Sequence, residues 1–233
     1  EQGYETATST IRCVLVAGEP GGSLEAVRQQ ISSAWGADVL DHAGATEIGP
    51  WGVGWLEHSG LEVIEEWLHP EFLGISTSRS AREGESAELV LTTLGRNGCP
   101  VIRYRTGDVV HPVWPTEQEV AAGASPRVWL KGGILGRTDD MLVVRGVNIF
   151  PSAVENIIRG FPEVLEYRLT VNREENLDVL SIEIEDRLSA PARIAQELHV
   201  RLGLRVDVTN VAVGTLPRFE GKARRVIDNR KKS

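Results

Sequence analysis

Leu135-Gly136-Arg137-Thr138-Asp139-Asp140-Met141-Leu142-Val143-Val144-Arg145-Gly146-Val147-Asn148-Ile149-Phe150-Pro151 decides how the chain divides. A glycine, an arginine and paired aspartates stand at a shift in composition. An apolar run and a second glycine follow, and then a strongly signalled helix start. The stretch reads as a hinge with a polar, ligand-facing shoulder. It separates residues 1–138, part of one domain, from residues 139–233, a complete small one.

Downstream of the hinge the patterning is regular. Ser152-Ala153-Val154-Glu155 has the spacing of a capping box, and Gly160 stands where a glycine would close the helix. Val154, Ile157 and Ile158 supply its buried stripe. Tyr167, Leu169 and Val171 alternate with polar residues, as do Leu180, Ile182 and Ile184, which predicts two half-buried strands. Ser189 is placed to open a helix carrying Ile194, Ala195, Leu198 and Leu202 on one face, stopped by Gly203. Val206 and Val208 begin a further strand. Strand, helix, strand, strand, helix, strand over about 75 residues is a compact α+β module. It ends in Gly214-Thr215-Leu216-Pro217-Arg218-Phe219-Glu220-Gly221-Lys222-Ala223-Arg224, a polar and constrained loop in which a lysine can reach a phosphate.

Upstream, Ile11 to Ala17 reads as a buried strand. It ends in Gly18-Glu19-Pro20-Gly21-Gly22, after which Ser23 can cap a helix with Leu24, Val27, Ile31 and Ala34 on one face. This is the start of an α/β unit. The glycine-rich turn either brings backbone N–H groups to a ligand or merely reverses the chain, and it matches neither GxGxxG nor GxxxxGK[ST]. Ala37 to Leu40 is a second short strand leading into Asp41-His42-Ala43-Gly44-Ala45-Thr46-Glu47-Ile48-Gly49-Pro50-Trp51-Gly52. Small residues there allow close backbone approach, and a hydroxyl beside a carboxylate can serve a phosphate and its Mg²⁺. A polar turn with a helix cap is the equal alternative.

Residues 53–135 are β-rich. Leu61–Ile64, Ala87–Leu94 and Val101–Arg105 are expected strands of a small antiparallel barrel or meander, and Glu71 to Glu85 is expected as a surface loop. Asp108 follows Thr106-Gly107 at a strand end, placed either to accept two ribose hydroxyls or to hydrogen-bond a turn.

Composition narrows the function classes. Apolar residues make up 41% and charged residues 25%, ordinary for a soluble globular protein. Nothing approaches the roughly 18 consecutive apolar residues of a membrane span. No signal peptide is expected. The net charge of −8 argues against nucleic acid as a partner. Cys13 and Cys99 lack CxxC spacing, and the five histidines form no HxxxH or HxH pair, so a reducing cytoplasm without a disulfide framework or a zinc site is expected.

Taken together, these stretches resemble one family, the acyl-adenylate-forming superfamily, and most closely its phenylacetate-CoA ligase branch. Val16-Ala17-Gly18-Glu19-Pro20 is similar to the family's adenine-site turn, and Asp41 to Pro50 to its aromatic-Gly-x-Ser/Thr-Glu motif. Tyr104-Arg105-Thr106-Gly107-Asp108 is similar to the ribose-binding motif. Gly136 to Asp140 with Arg145 to Pro151 resembles the hinge and its following hairpin, and Glu220-Gly221-Lys222-Ala223 the catalytic-lysine loop. Five such motifs occur in the family's order over nearly the whole chain.

The resemblance implies a fold and a set of roles. The fold would be the C-terminal part of a large adenylate-forming domain, an α/β unit plus β-barrel-like strands, followed by a small mobile α+β domain. Gly18, Glu19, Pro20, Asp41, His42, Thr46, Asp108 and Arg137 would bind nucleotide, Thr46 at the α-phosphate and Asp108 at the ribose hydroxyls. Glu47 would hold Mg²⁺, Asp139 would be the pivot, and Lys222 would stabilise charge during adenylation. Gly146 would sit on the hairpin that replaces Lys222 for the thioester step. Gly44, Ala45, Gly49, Pro50 and Trp51 would lie at the acid pocket.

The implied reaction joins a carboxylic acid, of aryl or aryl-acetic type, to CoA at the expense of ATP, in a cytoplasmic enzyme that can form a homodimer. Transfer of the acyl group to a carrier protein or an amine is the alternative, and a non-catalytic nucleotide-binding module is another. Two departures stand out. Ala43 occupies the position where many relatives place the aromatic residue that stacks on adenine. The family's glycine-rich, Ser/Thr-rich phosphate loop and the long portion that precedes the quoted motifs have no counterpart here, so a further segment or chain is expected to complete the enzyme. The 233 residues alone are expected to be inactive.

Overall fold

The computed structural model describes residues 6, 9–18, 22–56, 58–75, 77, 79–174, 177–218 and 225–231. The chain forms two compact units, Glu1–Asp139 and Asp140–Ser233.

The first unit begins with β1 (Cys13–Ala17), α1 (Glu25–Trp35) and β2 (Asp38–Ala45), a parallel β–α–β step in which Cys13 pairs with Asp38 and Ala17 with His42. β3 (Gly49–Val53) and β4 (Gly60–Val63) turn back antiparallel. β5 (Leu68–Gly74), β6 (Ala87–Thr93), β7 (Tyr104–Val113), the short α2 (Glu117–Ala121) and β8 (Trp129–Arg137) follow. The antiparallel strands β5-β6-β7-β8 run as a meander and join the α/β step in a single sheet of order β1-β2-β3-β4-β8-β7-β6-β5. Its core gathers Ile48, Trp51, Leu61, Val63, Phe72, Leu89, Leu91, Val110 and Leu130.

Several local expectations change. β1 is not buried: it lies at the sheet edge, and Leu15 is 60% exposed. Ser23 does not cap α1. Its hydroxyl is turned to the Asp41 carboxylate, and α1 starts from Leu24 without a side-chain cap. Residues 71–74 are strand rather than loop, because β5 pairs residue for residue with β6. The expected strand at Val101–Arg105 begins at Tyr104, since Arg103 is left-handed (φ 52°) and cannot continue a ladder. β7 then runs on through Gly107 and Pro112 with two register shifts, which puts Asp108 inside a strand, not at its end.

The second unit opens with a hairpin, β9 (Leu142–Val144) and β10 (Val147–Ile149). Its two turn residues, Arg145 (φ 51°) and Gly146 (φ 79°), are both left-handed, as a two-residue hairpin of this twist requires. α3 (Pro151–Arg159), β11 (Val164–Glu174), β12 (Leu177–Asp186), α4 (Pro191–Leu202), β13 (Asp207–Asn210), β14 (Val226–Asp228) and a 3₁₀ turn at Asn229–Lys231 complete it. The sheet order is β13-β12-β11-β14, with β11 and β12 antiparallel and each outer strand parallel to its neighbour. The expected alternation is what packs this core: Tyr167, Leu169, Val171, Leu180, Ile182 and Ile184 meet Val154, Ile157, Ile158, Ile194 and Leu198.

Both helix starts differ from expectation for one reason. Pro151 and Pro191 take the first helical positions, where a proline's fixed φ fits and its missing N–H costs nothing. The capping box at Ser152 therefore does not form. Glu155 pairs with Arg159 and Arg225 instead. Ser189 is a left-handed turn residue, and the N–H groups before α4 are taken by the buried Asp186 carboxylate, at Leu188 (3.1 Å) and Ala190 (3.0 Å). Gly203 closes α4 in the left-handed region as expected, whereas Gly160 stays right-handed.

Candidate functional site

In the first unit two polar groups form, each built by strand register. The first surrounds Asp41, near the C-terminal end of the parallel β1–β2 pair. Its carboxylate accepts from the Ser23 hydroxyl and from the His42 N–H (2.9 Å). Gly22 and Gly133 crowd against it: a β-carbon on Gly22 would run into Asp41, and one on Gly133 into Ser23. Burial pushes the Asp41 carboxyl up, and the Ser23 hydrogen bond opposes that. Arg28 of α1 reaches the carbonyls of His58 (3.1 Å) and Trp55 (3.1 Å), tying the helix to the loop after β3. Gly18 ends β1 in the left-handed region (φ 82°), while Glu19 and Pro20 lie outside the described residues.

The second group gathers three of the quoted stretches. β2 and β3 form a hairpin, with Ala43 opposite Gly52, Gly44 opposite Pro50 and Ala45 opposite Gly49. Buried Ile48 anchors the turn, which leaves Thr46 and Glu47 exposed at its tip. Arg96, from the loop after β6, donates to the Glu47 carbonyl at 2.7 Å. The Tyr104 hydroxyl donates to the Glu47 carboxylate. Burial first, and then Glu47, raise the phenol above its ordinary value, while nearby Arg137 pulls it down. Tyr104 itself packs against the core beneath the hairpin.

Four residues along β7, Asp108 is the register partner of Arg137 on β8. The Arg137 guanidinium lies 3.4 Å from the Asp108 carboxylate, 3.3 Å from the Thr106 carbonyl and 2.9 Å from Asp139. Gly107 is left-handed (φ 76°), and a β-carbon there would stand 2.8 Å from the Arg137 guanidinium. The Asp108 side chain is mostly buried. Desolvation lifts its carboxyl to about 6, against the pull of Arg137 and Thr106. Glu47, Asp108 and Arg137 thus all bear on the Tyr104 phenol although they come from distant parts of the chain.

This group offers an acceptor carboxylate, a guanidinium and an exposed Thr–Glu pair on one rim, a set suited to the hydroxyls and phosphate of a nucleotide. Among the described residues no three His, Cys, Asp or Glu converge on a common point. Mg²⁺ fits Glu47 all the same, because that ion is commonly held by one or two carboxylates, with water and substrate phosphates filling its other positions. Trp51 lies in the core at 1% exposure, under the hairpin that bears Gly44, Ala45, Gly49 and Pro50. In the second unit Gly146 tips the β9–β10 hairpin, with Arg145 bonded to the Asp178 carbonyl (3.1 Å). Lys222 lies outside the described residues.

Three contributors were not legible as such in the sequence. Tyr104 stands in a quoted motif that implies no role for it, the pattern around Ser23 points to a helix cap, and Arg96 lies in a polar loop that carries no signal. Contacts spanning 57 and 49 positions, Glu47 to Tyr104 and Glu47 to Arg96, leave no local pattern.

A family model of the AMP-binding enzyme C-terminal domain matches residues 146–230. The chain is similar to the phenylacetate-coenzyme A ligase of Escherichia coli (strain K12), 33% identical over 98% of this chain and 53% of that protein. It is likewise similar to the phenylacetate-coenzyme A ligase of Thermus thermophilus, 34% identical over 89% of this chain and 52% of the relative. It spans about half the length of the curated relatives it matches. Among solved structures, 2-hydroxyisobutyryl-CoA ligase in the postadenylation state superposes with a TM-score of 0.80 at 28% identity, over 94% of this chain and 48% of that one. The chain is a phenylacetate-CoA ligase-like member of the acyl-adenylate-forming (AMP-binding) superfamily.

Proposed function

We propose that this chain is the nucleotide-handling part of an ATP-dependent acid–CoA ligase acting on an aryl or aryl-acetic acid. In the first half-reaction the acid's carboxylate attacks the α-phosphorus of ATP and pyrophosphate leaves. In the second the CoA thiol attacks the acyl carbon, AMP leaves, and a thioester forms. The observation that carries the reading is the gathering of Glu47, Asp108 and Arg137, from three separate motifs, about Tyr104. Asp108 accepts the ribose hydroxyls, Arg137 lies against ribose or phosphate, and Thr46 meets the α-phosphate. Asp41 and His42, with Gly18, Glu19 and Pro20, border the base. Glu47 would hold Mg²⁺, which would supply charge neutralisation for the attack of one anion on another.

Lys222 adds a point charge to the same transition state. The pivot at Asp139 and the hairpin at Gly146 serve the change from the first half-reaction to the second. Exposed thiols at Cys13 and Cys99 and the use of ATP and CoA fit a reducing cytoplasm. A further segment, matching the remaining length of the relatives, supplies the phosphate grip and most of the acid pocket. It would cover the β1–α1 edge, where Leu15 is exposed and α1 buries no side chain.

The test joins the chain to the corresponding N-terminal portion of the Escherichia coli relative and offers phenylacetate and benzoate with ATP and CoA. Acid-dependent pyrophosphate exchange and thioester formation are expected. Exchange without any thioester, rescued by a carrier protein or an amine, overturns CoA as the acceptor. Adenosine binding without exchange for any acid overturns the enzymatic reading. Robust exchange by the 233 residues alone overturns the need for a further segment.

A further inference from the structure

Glu166 on β11 and Glu185 on β12 face each other directly across the strand pair, 6% and 0% exposed. Two buried carboxylates in that register repel, and removing them from water adds to the cost. Each is neutralised by a two-pronged arginine. Arg218 meets Glu185 at 2.5 and 3.2 Å, and Arg225 meets Glu166 at 2.6 and 3.2 Å. The Leu216 N–H adds a third bond to Glu185, at 2.7 Å. Arg225 also reaches Glu155 of α3 (3.3 Å), lies over the Tyr167 ring, and accepts from the Leu169 N–H through its own carbonyl (2.8 Å).

Arg218 holds the Glu185 carboxyl down at about 2, helped by the N–H groups of Gly214 and Leu216. Burial pushes Glu166 up, but Arg225 and the Tyr167 N–H outweigh it and the carboxyl lies below its usual range.

Arg218 and Arg225 flank residues 219–224, which lie outside the described residues. The chain on either side of that stretch is therefore fastened to two neighbouring positions of one sheet. Stability alone does not account for the arrangement, because an apolar pair of similar volume holds a fold as well as a buried ion pair does. A charged pair does fix where an arginine, and the backbone beside it, must stand. We propose that Glu166 and Glu185 are positioning residues that clamp both ends of the segment carrying Lys222. The proposal rests on the reading of Lys222 as the lysine of adenylation.

In the completed enzyme, Glu185→Gln and Glu166→Gln keep shape and remove charge. Expected for Glu185→Gln are faster hydrogen exchange at the Leu216 amide and at least a tenfold fall in kcat for adenylation. The KM for ATP and the rate of thioester formation from pre-made acyl-adenylate stay unchanged. Glu166→Gln lowers adenylation in the same selective way. If Glu185→Gln does not fold, the paired Glu185→Gln/Arg218→Gln protein, which leaves no uncompensated charge, takes the same readouts. Loss of Leu216 protection with adenylation intact overturns the proposal, as does an equal fall of both half-reactions, which general loosening would produce. Lys222→Ala, measured alongside, separates the two readings. Full adenylation there removes the lysine assignment and the proposal with it, whereas loss there without loss in Glu185→Gln overturns the clamp alone.

Discussion

Helices α1 and α4 are nearly equal in length, 11 and 12 residues, and both carry an apolar stripe, yet α4 buries Ile194 and Leu198 whereas α1 buries no side chain. The strands repeat the contrast: β1 lies exposed at an edge, while β11 and β12 present Leu169, Val171, Ile182 and Ile184 to a closed core. Periodicity reports that a face is apolar, and burial needs a second surface to meet it. The second unit finds that surface within its own sequence. The units also treat their carboxylates in opposite ways. Asp108 is lifted to about 6 by burial that one arginine does not offset, which suits a group that receives a ligand. Glu185 is held at about 2 because its lone pairs are already taken.

The largest expected effect tests the packing contrast. Leu198→Ala should cost about 2–5 kcal/mol in urea unfolding, the usual cost of emptying a closed core. Ile31→Ala on α1 should cost less than about 1 kcal/mol, since little area there leaves water. Equal losses would break the contrast. Next, Lys222→Ala in the completed enzyme should slow adenylation about 10²–10³-fold, as loss of one transition-state donor does, with adenosine affinity unchanged. A parallel loss of affinity would move Lys222 from chemistry to binding.

The carboxylate contrast sets the third expectation. Adenosine, which lacks a titrating phosphate, should bind progressively more weakly below pH 6, approaching about tenfold per pH unit as Asp108 takes up a proton. Asp108→Asn should flatten that profile and weaken binding about 10–100-fold, the range for a hydrogen bond to a charged group. A profile unchanged by the substitution would remove Asp108 from the ribose. Stability should respond with opposite signs. The folded chain holds the Asp108 proton more tightly than the unfolded chain between its usual 3.8 and about 6, so that contribution declines as pH rises through the window. Glu185 is depressed from 4.5 to about 2, so its contribution is complete above 4.5 and is lost as pH falls toward 2. Single-site titrations of the two carboxyls check both slopes.

The smallest effect sharpens the geometry. Gly107→Ala should cost about 1–2 kcal/mol, for a left-handed residue with a side chain, and should displace Arg137 from Asp108. An unmoved Asp108 titration would show that Gly107 does not set the approach of the guanidinium.

What the sequence disclosed follows the same divide. Alternation at Tyr167–Val171 and Leu180–Ile184 located the small sheet because each strand has one wet and one dry face. The length of β7 is hidden because Thr106-Gly107 looks like the end of a strand, whereas the strand runs through it to Val113. Helix caps were assigned to the nearest hydroxyl, Ser23, Ser152 and Ser189. In two cases a proline had already fixed the first turn, and in the third a carboxylate 18 positions away took the serine. The quoted motifs point to Asp41, Glu47, Asp108 and Arg137, but Tyr104 and Arg96 beside Glu47, and Gly133 beside Asp41, become neighbours only in the folded chain. No local spacing encodes that.

Ala43 faces Gly52 across the β2–β3 hairpin, and a β-carbon on Gly52 would stand 3.3 Å from that of Ala43. The two positions share one small volume, and only one of them can grow. Because position 52 is already bare, a larger side chain at 43 needs no second change, whereas a side chain at 52 would press on Ala43 first. Gly52 thus keeps room beside position 43, and filling that room from position 52 instead closes it to any larger residue at 43.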